Sequence, residues 1–553
     1  MHDMLKSLQN IKPRILLVDN DPDVCESYKE LLKTYGYDPI IATGIGASLR
    51  ENALKKAEEC RCSLALIDLR LRDDDDDDDM SGAEFAKTLR TLLHPILLTG
   101  AEDPSTLRKL LQDYKEIPYF GKQDRRDEFL KRLDAEASQF VASKRQIEFI
   151  QPNLLDEFLK SDLIQGNIQY SDQVVDVLAR LFPNATTLRF EKVSGWDGSS
   201  EVSSAVRPNS IVLKVYEDRL EPCIIKLARA NKIRHEINSY YAFISRKLTG
   251  NLYAQMIQNA VVWDIGGTAY SFISGNSTRT FSAYYKDQPI HNIQEGLKSF
   301  FQDMWGKYYN QATAENNKSL FELYSEVWGQ DWYEKCLGEL TPHLTEETSV
   351  LLQKFGLPDP IEWLNNKNEK NELIFNTKKA ITHGDLHGDN LMVDDRKNVW
   401  VIDFERCGSG HILQDFIELE ADVLNRLLGH STNTSSHLRM YLTVFKPTEI
   451  TSLEENETFS DDADIEKALK TISTIREFAV KCTGMKDARE YLYGLLFNLI
   501  FRAQLLHKID SAKSGHPLFL AGLICHHLDH WDQSWPLLNG TSLKWRNYDI
   551  NAI

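Results

Sequence analysis

The sequence predicts a multidomain α/β chain: a doubly wound parallel sheet over residues 1–140, followed by a two-lobed α+β region. Three observations predict it. Short apolar runs alternate with amphipathic helical stretches through the first 140 residues, and parallel strands require such crossover helices. From Thr187 the apolar period becomes strand-like, close to two. Beyond residue 276 the pattern is mainly helical and rich in aromatics. A prior of about 150 residues per domain allows three or four units in a chain of 553.

Composition narrows the function classes. With 42% apolar and 26% charged residues, the chain can bury several cores. A net charge of −18 argues against nucleic acid as a partner, because sequence-independent binding neutralises phosphates with Lys and Arg. No basic recognition helix is present either, which argues against a DNA-binding output. The first residues lack the apolar core of a secretory signal. No apolar stretch approaches the roughly 18 residues of a membrane span, so no membrane partner is expected. Eight scattered cysteines suit a reducing, cytoplasmic setting better than a disulfide framework.

In the first 140 residues, Ile15–Asp19, Pro39–Thr43, Leu64–Asp68, Pro95–Thr99 and Ile117–Phe120 read as buried strands. Cys25–Tyr35, Ala47–Cys60, Ala83–Leu93, Pro104–Leu111 and Asp127–Phe140 read as the helices between and after them. Chemistry in such sheets gathers at the carboxyl ends of the strands. Those ends carry Asp19, Asn20, Asp21, Asp68, Thr99 and Lys122. This set resembles the receiver domain of two-component response regulators, which has a flavodoxin-like fold. The resemblance implies that Asp68 is the phosphoacceptor, that Thr99 and Lys122 contact the phosphoryl group, and that the first-strand acids hold Mg²⁺. It also implies a sensor histidine kinase or another phosphodonor as partner. The family has two adjacent acids after the first strand, whereas Asn20 stands in the second place here. One carboxylate fewer should weaken Mg²⁺ binding unless Asp21 takes part, so weak phosphorylation of Asp68 is expected. The Asp73–Asp79 run is expected to be a solvated loop, since adjacent like charges repel.

Residues 141–185 read as a semi-rigid helical joint, with Gln146–Leu159 and Asp172–Leu181 as its helices and no glycine-rich tether. Residues 186–275 read as a lobe of strands: Thr187–Val193, Glu201–Val206, Ile211–Tyr216, Pro222–Leu227, Ala260–Asp264 and Thr268–Ile273. Residues 276–553 form the mainly helical lobe, whose aromatics are expected in the core.

The chemistry centres on His383–Glu405, which reads His-Gly-Asp-Leu-His-Gly-Asp-Asn and then, after two apolar runs, Ile-Asp-Phe-Glu. Asn390 follows Asp385 by five positions and Asp403 by eighteen. Phosphoryl transfer needs such a set: one carboxylate to orient and receive a hydroxyl proton, with an amide and a second carboxylate to hold Mg²⁺. The stretch resembles the aminoglycoside phosphotransferase and choline kinase branch of the protein kinase-like fold. The resemblance implies ATP and Mg²⁺ as cofactors, Asp385 as base, and Asn390, Asp403 and Glu405 at the metal. It places ATP against Lys226, which emerges from an apolar strand, paired with Glu236 on the helix that follows. Lys214 is a rival for the role of Lys226. Gly195, Gly198, Ser199 and Ser200 would cover the phosphates from a turn, and the adenine hinge would lie near Phe272–Gly275.

The run Gln-Asp-Phe-Ile-Glu-Leu-Glu at residues 414–420 resembles domains of bacterial conflict or signalling operons, and Asp415 within it suggests a structural capping role. Cys525-His526-His527-Leu528-Asp529-His530 has metal-ligand chemistry, but on a helix its side chains spread around the circumference. The expected function is a response regulator whose output is an ATP- and Mg²⁺-dependent phosphotransferase acting on a hydroxyl of a small molecule or protein. The alternative is a nucleotide-binding signalling scaffold of weak catalytic power, regulated by the same receiver. The residues that would choose the acceptor lie in the unmatched tail.

Overall fold

In the computed structural model the described residues are 12–73, 76, 78–100, 112–145, 147–155, 168–192, 210–218, 221–248, 253–271, 278–340, 346–369, 373–394, 396–428, 434–451, 453, 462–507 and 514–531. They form two compact units. The first takes its described residues from Met1–Lys192, Pro208–Arg234 and Met256–Phe272; the second from Val193–Arg207, His235–Gln255 and Ile273–Ile553.

The first unit opens with a five-stranded parallel sheet in the order β2-β1-β3-β4-β5. Its strands are β1 (Arg14–Val18), β2 (Asp38–Ile41), β3 (Leu64–Asp68), β4 (His94–Thr99) and β5 (Tyr119–Gly121), interleaved with α1 (Pro22–Thr34), α2 (Gly46–Cys60), α3 (Ser81–Leu89) and α4 (Arg126–Phe140). Successive strand residues bury opposite faces. Leu16, Val18, Ala65 and Ile67 pack with Leu49, Ala53 and Ala57 of α2 and Phe85 of α3. Ile15, Leu17, Leu64 and Leu66 pack with Leu32 of α1 and Phe129, Leu130 and Leu133 of α4. Both faces are covered, as continuous apolar strands require. The expected helix Pro104–Leu111 lies outside the described residues.

A second, six-stranded sheet in the same unit runs β10-β11-β9-β8-β7-β6. It comprises β6 (Glu148–Ile150), β7 (Thr187–Glu191), β8 (Ser210–Glu217), β9 (Cys223–Arg229), β10 (Met256–Val262) and β11 (Ile265–Ser271), with α5 (Ile168–Leu181) packed against it. Helix and sheet approach closely at Gly267, where a Cβ would lie 2.8 Å from Val177 and Leu227 side-chain carbons. The expected strand Glu201–Val206 lies outside the described residues. The expected helix Gln146–Leu159 is corrected: Glu148–Ile150 is a strand paired in parallel with β7, and Pro152–Leu155 is a 3₁₀ turn. Pro152 cannot sit in a helix interior, and pairing with Thr187–Arg189 supplies the backbone partners that a helix would have given.

The two sheets of this unit meet at the amino ends of β1 and β3, away from Asp19 and Asp68 at the carboxyl ends. Arg14 Nη2 pairs with Asp172 Oδ2 at 3.2 Å, and Asp176 accepts from Ser63 Oγ at 3.3 Å and from the Ala142 amide at 2.9 Å. The β10–β11 turn reaches the same edge. Trp263 Nε1 donates to Cys62 O at 2.9 Å, and Arg61 Nε donates to Asp264 Oδ2 at 2.8 Å. Trp263 packs against the cores of both sheets. Helix α6 (Ala230–Ser239) follows β9 directly.

The second unit is mainly helical. Its strands β12 (Arg279–Thr280), β13 (Thr313–Glu315), β14 (Thr377–Thr382), β15 (Leu391–Val393), β16 (Val399–Val401) and β17 (Gly408–His411) form two small sheets, β12-β15-β16 and β13-β14-β17. The helices that bear on the site are α7 (Phe281–Asp287) and α8 (Gln414–Asp422); farther along lie α9 (Ala463–Thr483) and α10 (Ala488–His507). Every residue of α8 is buried. Its Glu420 is held by a two-pronged ion pair from Arg476 of α9, at 2.9 and 2.7 Å, and by the Tyr491 hydroxyl of α10 at 2.7 Å. A buried carboxylate demands such partners. Among the described residues, no helix is long and apolar enough to cross a membrane.

Candidate active site

Strand β14 delivers the loop His383–Asn390, β15 leaves it, and β16 returns the chain to Asp403–Arg406. Gly384 is required where it stands: its φ is +76°, and a Cβ would lie 2.5 Å from Arg406 O. Two bonds lay the loop alongside the Asp403 segment. The Ile402 amide donates to Asn390 O at 3.0 Å, and His383 Nε2 lies 3.0 Å from Ile402 O. Asn390 is fully buried, and its Nδ2 donates to the carbonyl of Asp385 at 2.8 Å. That bond fixes the register between Asp385 and Asn390 through the backbone.

Asp385 itself is 39% exposed, with Arg406 Nη1 at 3.5 Å from its Oδ1. Burial works against the Arg406 charge, but Asp385, Glu405, Glu418 and Asp403 together raise its pKa. Three of the carboxylates expected at the site, Asp385, Asp403 and Glu405, therefore act on one cation. Asp403 holds a left-handed backbone, φ +66°, that a non-glycine residue rarely adopts and that clusters at functional sites. The donor chemistry of Asn390, Asp403 and Glu405 is hard oxygen, which suits Mg²⁺. Among the described residues, no three His, Cys, Asp or Glu side chains are gathered as for a metal ion.

The sequence reading missed most of what holds the loop. Helix α8 carries Asp415, Glu418 and Asp422 on one buried face, and each accepts from the loop backbone. Asp415 takes the His383 amide at 2.9 Å and the Gly384 amide at 3.1 Å, besides the Tyr309 hydroxyl at 2.9 Å. Glu418 takes the Leu386 amide at 2.6 Å, and Asp422 takes that of Gly388 at 2.8 Å. Burial raises the Asp415 pKa, opposed by His383 and the amides. Burial, with the charges of Asp415 and Asp385, pushes Glu418 up to about 8. Burial also opposes ionisation of Asp422, yet Arg426 and Arg502 hold its carboxyl well below the usual range. The signal available in the sequence was the spacing of Asp415, Glu418 and Asp422, three and four residues apart, which puts them on one face of a helix that also carries Glu420.

The expected nucleotide-binding residues fall in different units. Lys226 lies on β9, 4% exposed, opposite Val212 of β8 and Thr268 of β11. Its rival Lys214 is on β8, where it pairs with Glu191 at 4.0 Å and lies over the Tyr216 ring. Glu236 is on α6, fully buried, and belongs to the second unit. Gly195, Gly198, Ser199, Ser200 and residues 272–275 lie outside the described residues.

In the first unit, Lys122 brings Asp19 and Asp68 together. Its Nζ lies 2.9 Å from Asp19 Oδ2 and 2.7 Å from Asp68 Oδ1. Thr99 ends β4, buried, and its carbonyl accepts from the Lys122 amide at 2.7 Å. Burial and the charge of Asp19 push Asp68 up to about 6, against the pull of Lys122. Asn20 is half-buried beside Asp19. Asp21 caps α1, its Oδ1 accepting from the Asp23 and Val24 amides at 2.8 and 3.4 Å. Gly82 is required by contact, since a Cβ would lie 1.8 Å from Asp68 O.

Residues 330–500 match the family model described as Ternary complex associated domain 9. No curated protein matches the chain. Among solved structures, an aminoglycoside phosphotransferase, APH(4)-Ia, in a ternary complex with ADP and hygromycin B is 10% identical, covering 63% of this chain and 96% of its own, with a TM-score of 0.36. The choline kinase LicA from Streptococcus pneumoniae is 13% identical, covering 57% of this chain and 94% of its own, with a TM-score of 0.27. The chemotaxis protein CheY4 of Vibrio cholerae is 20% identical, covering 22% of this chain and 98% of its own, with a TM-score of 0.18.

Proposed function

We propose that this chain is an ATP- and Mg²⁺-dependent phosphotransferase acting on a hydroxyl of a small molecule or a protein, joined to a receiver that takes a phosphoryl group on Asp68 from a sensor histidine kinase or another donor. The observation that carries this reading is the tie from Asn390 Nδ2 to Asp385 O. It ties the backbone of the residue assigned as proton acceptor to the side chain of the residue assigned as metal ligand, within one loop next to Asp403. In this reading Asp385, partly exposed, orients and receives the hydroxyl proton. Asn390, Asp403 and Glu405 would hold Mg²⁺, which would offset charge on the phosphates being transferred. Lys226, Glu236, Gly195, Gly198, Ser199 and Ser200 are assigned to ATP in this reading. Arg406, held charged among the carboxylates, keeps the Asp385 side chain in place between turnovers.

The test is Asp385→Asn in an ATP-consumption assay across small hydroxyl compounds and protein acceptors. Turnover should fall about 10²–10⁴-fold, with the ATP-induced thermal shift retained. Unchanged turnover would remove Asp385 from the base role.

One observation favours a second reading, a nucleotide-binding scaffold: the match over residues 330–500 to a domain described as associated with a ternary complex. On that reading ATP and Mg²⁺ shift the melting temperature, but neither the wild type nor Asp385→Asn transfers phosphate.

A further inference from the structure

We propose that Arg426 is a positioning residue that sets where Asn390 stands relative to Asp385, by holding Asp389 and both backbone partners of Gly388. Its consequence for metal binding rests on the phosphotransferase reading; its geometry does not.

Arg426 sits on a π-helical turn, Val423–Leu427, that continues α8. Such wide turns recur at functional sites. The guanidinium reaches three groups at once. Nη1 donates to Asp389 Oδ2 at 2.9 Å, Nη2 to Ser282 Oγ at 2.8 Å, and Nε and Nη2 to the two oxygens of Asp422 at 2.9 and 2.6 Å. Arg502 Nη1 adds a bond to Asp422 at 3.1 Å, so two guanidiniums balance two carboxylates.

Every partner of Arg426 also touches the loop or is part of it. The Gly388 amide donates to Asp422 at 2.8 Å, and the Gly388 carbonyl accepts from the Ser282 amide at 3.1 Å. A Cβ at Gly388 would lie 2.4 Å from Ser282 Oγ, so the backbone has no slack there. Asn390 follows at once, with its amide donating to His387 O at 2.9 Å and its Nδ2 to Asp385 O. A shift of Gly388–Asp389 would therefore carry the metal-side amide away from the base. Arg426 acts on the site through Asp389 and the backbone. A lysine would keep the charge but lose the rigid fork that spans three acceptors.

The test uses the full chain with Arg426→Lys and Asp389→Asn. The second variant leaves the Arg426–Asp422 pair intact and so guards against simple misfolding. Two quantities are read: amide hydrogen exchange over residues 385–391, and the Mg²⁺ concentration that half-saturates the ATP-induced thermal shift. Both variants should exchange faster there. The Mg²⁺ requirement should rise about 10- to 100-fold, the usual effect of losing an outer-shell partner, while the shift with ATP alone stays at the wild-type value. Wild-type exchange in both variants would overturn the proposal. If the wild type itself shows no Mg²⁺-dependent shift, the phosphotransferase reading falls, and the exchange measurement alone decides the role of Arg426.

Discussion

Asp68 and Asp385 are the two carboxylates on which the proposed chemistry depends, and the molecule holds them by different means. Asp68 ends a central strand, is buried, and is bridged to Asp19 by the ammonium of Lys122. Asp385 is partly exposed, and its place is set by backbone amides on either side of it that Asp415, Glu418 and Asp422 accept. In the first case charged side chains build the site directly. In the second, a buried acidic face on a helix about thirty residues later builds the loop, and the loop presents the acid. A side-chain cluster tolerates the loss of one member, because the others still pair. A loop hung on buried acceptors does not, because each lost acceptor strands donors away from water.

Stability measurements can break or sharpen this contrast. The largest effect should come from Asp415→Ala, which leaves the His383 and Gly384 amides and the Tyr309 hydroxyl without their buried acceptor. A loss of about 3 kcal/mol or more is expected in urea denaturation; a loss below about 1 kcal/mol would mean that the loop is held elsewhere.

An intermediate effect is expected from Glu418→Gln, whose amide oxygen can still accept from Leu386. The folded-state pKa of Glu418, about 8, lies above its ordinary 4.5. Its contribution to stability is therefore complete below the ordinary value and is lost as pH rises through about 8. Melting temperature measured from about pH 5 to about pH 9 should fall more steeply for the wild type than for Glu418→Gln. Parallel profiles would show that Glu418 does not carry a proton in the folded state.

The smallest effect belongs to the Asp68 cluster of the first sheet. Asp68→Asn removes a charge that burial disfavours and one of the two partners of Lys122, while Asp19 remains at 2.9 Å. The change in stability should stay within about 1 kcal/mol, even though labelling by an acyl-phosphate donor with Mg²⁺ is abolished. A large destabilisation would make this cluster a structural device like the loop's. Wild-type labelling in Asp68→Asn would remove Asp68 from the proposed role of phosphoacceptor.

The same contrast explains what could be read before the fold was seen. The five strands of the first sheet were legible because residues such as Leu16, Leu66 and Leu97 are buried on both faces of a parallel sheet, leaving unbroken apolar runs. His383, Asp385, Asn390 and Asp403 were legible as a group because their order and spacing between short apolar strand runs are local features of the sequence, and the fold brings them onto one loop and the segment that returns beside it. Gln146–Leu159 misled because its apolar period is compatible with a helix, whereas pairing with β7 and the ring of Pro152 decided otherwise. The part of Asp21 could not be read from the sequence, because it caps α1 through one carboxylate oxygen, Oδ1, a contact set by where the helix begins.

By itself, the sequence determined the parallel sheet and the acids at its strand ends, since burial on both faces and the positions after strands are local properties of the chain. It also determined the order and spacing of the loop residues. Tertiary structure alone decided which acids hold the loop and that the β10–β11 turn fastens Trp263 and Asp264 to Arg61 and Cys62. It also decided that Arg426 spans Asp389, Ser282 and Asp422. Those contacts join residues far apart in the chain, and only burial against one another gives their charges and donors no other partner.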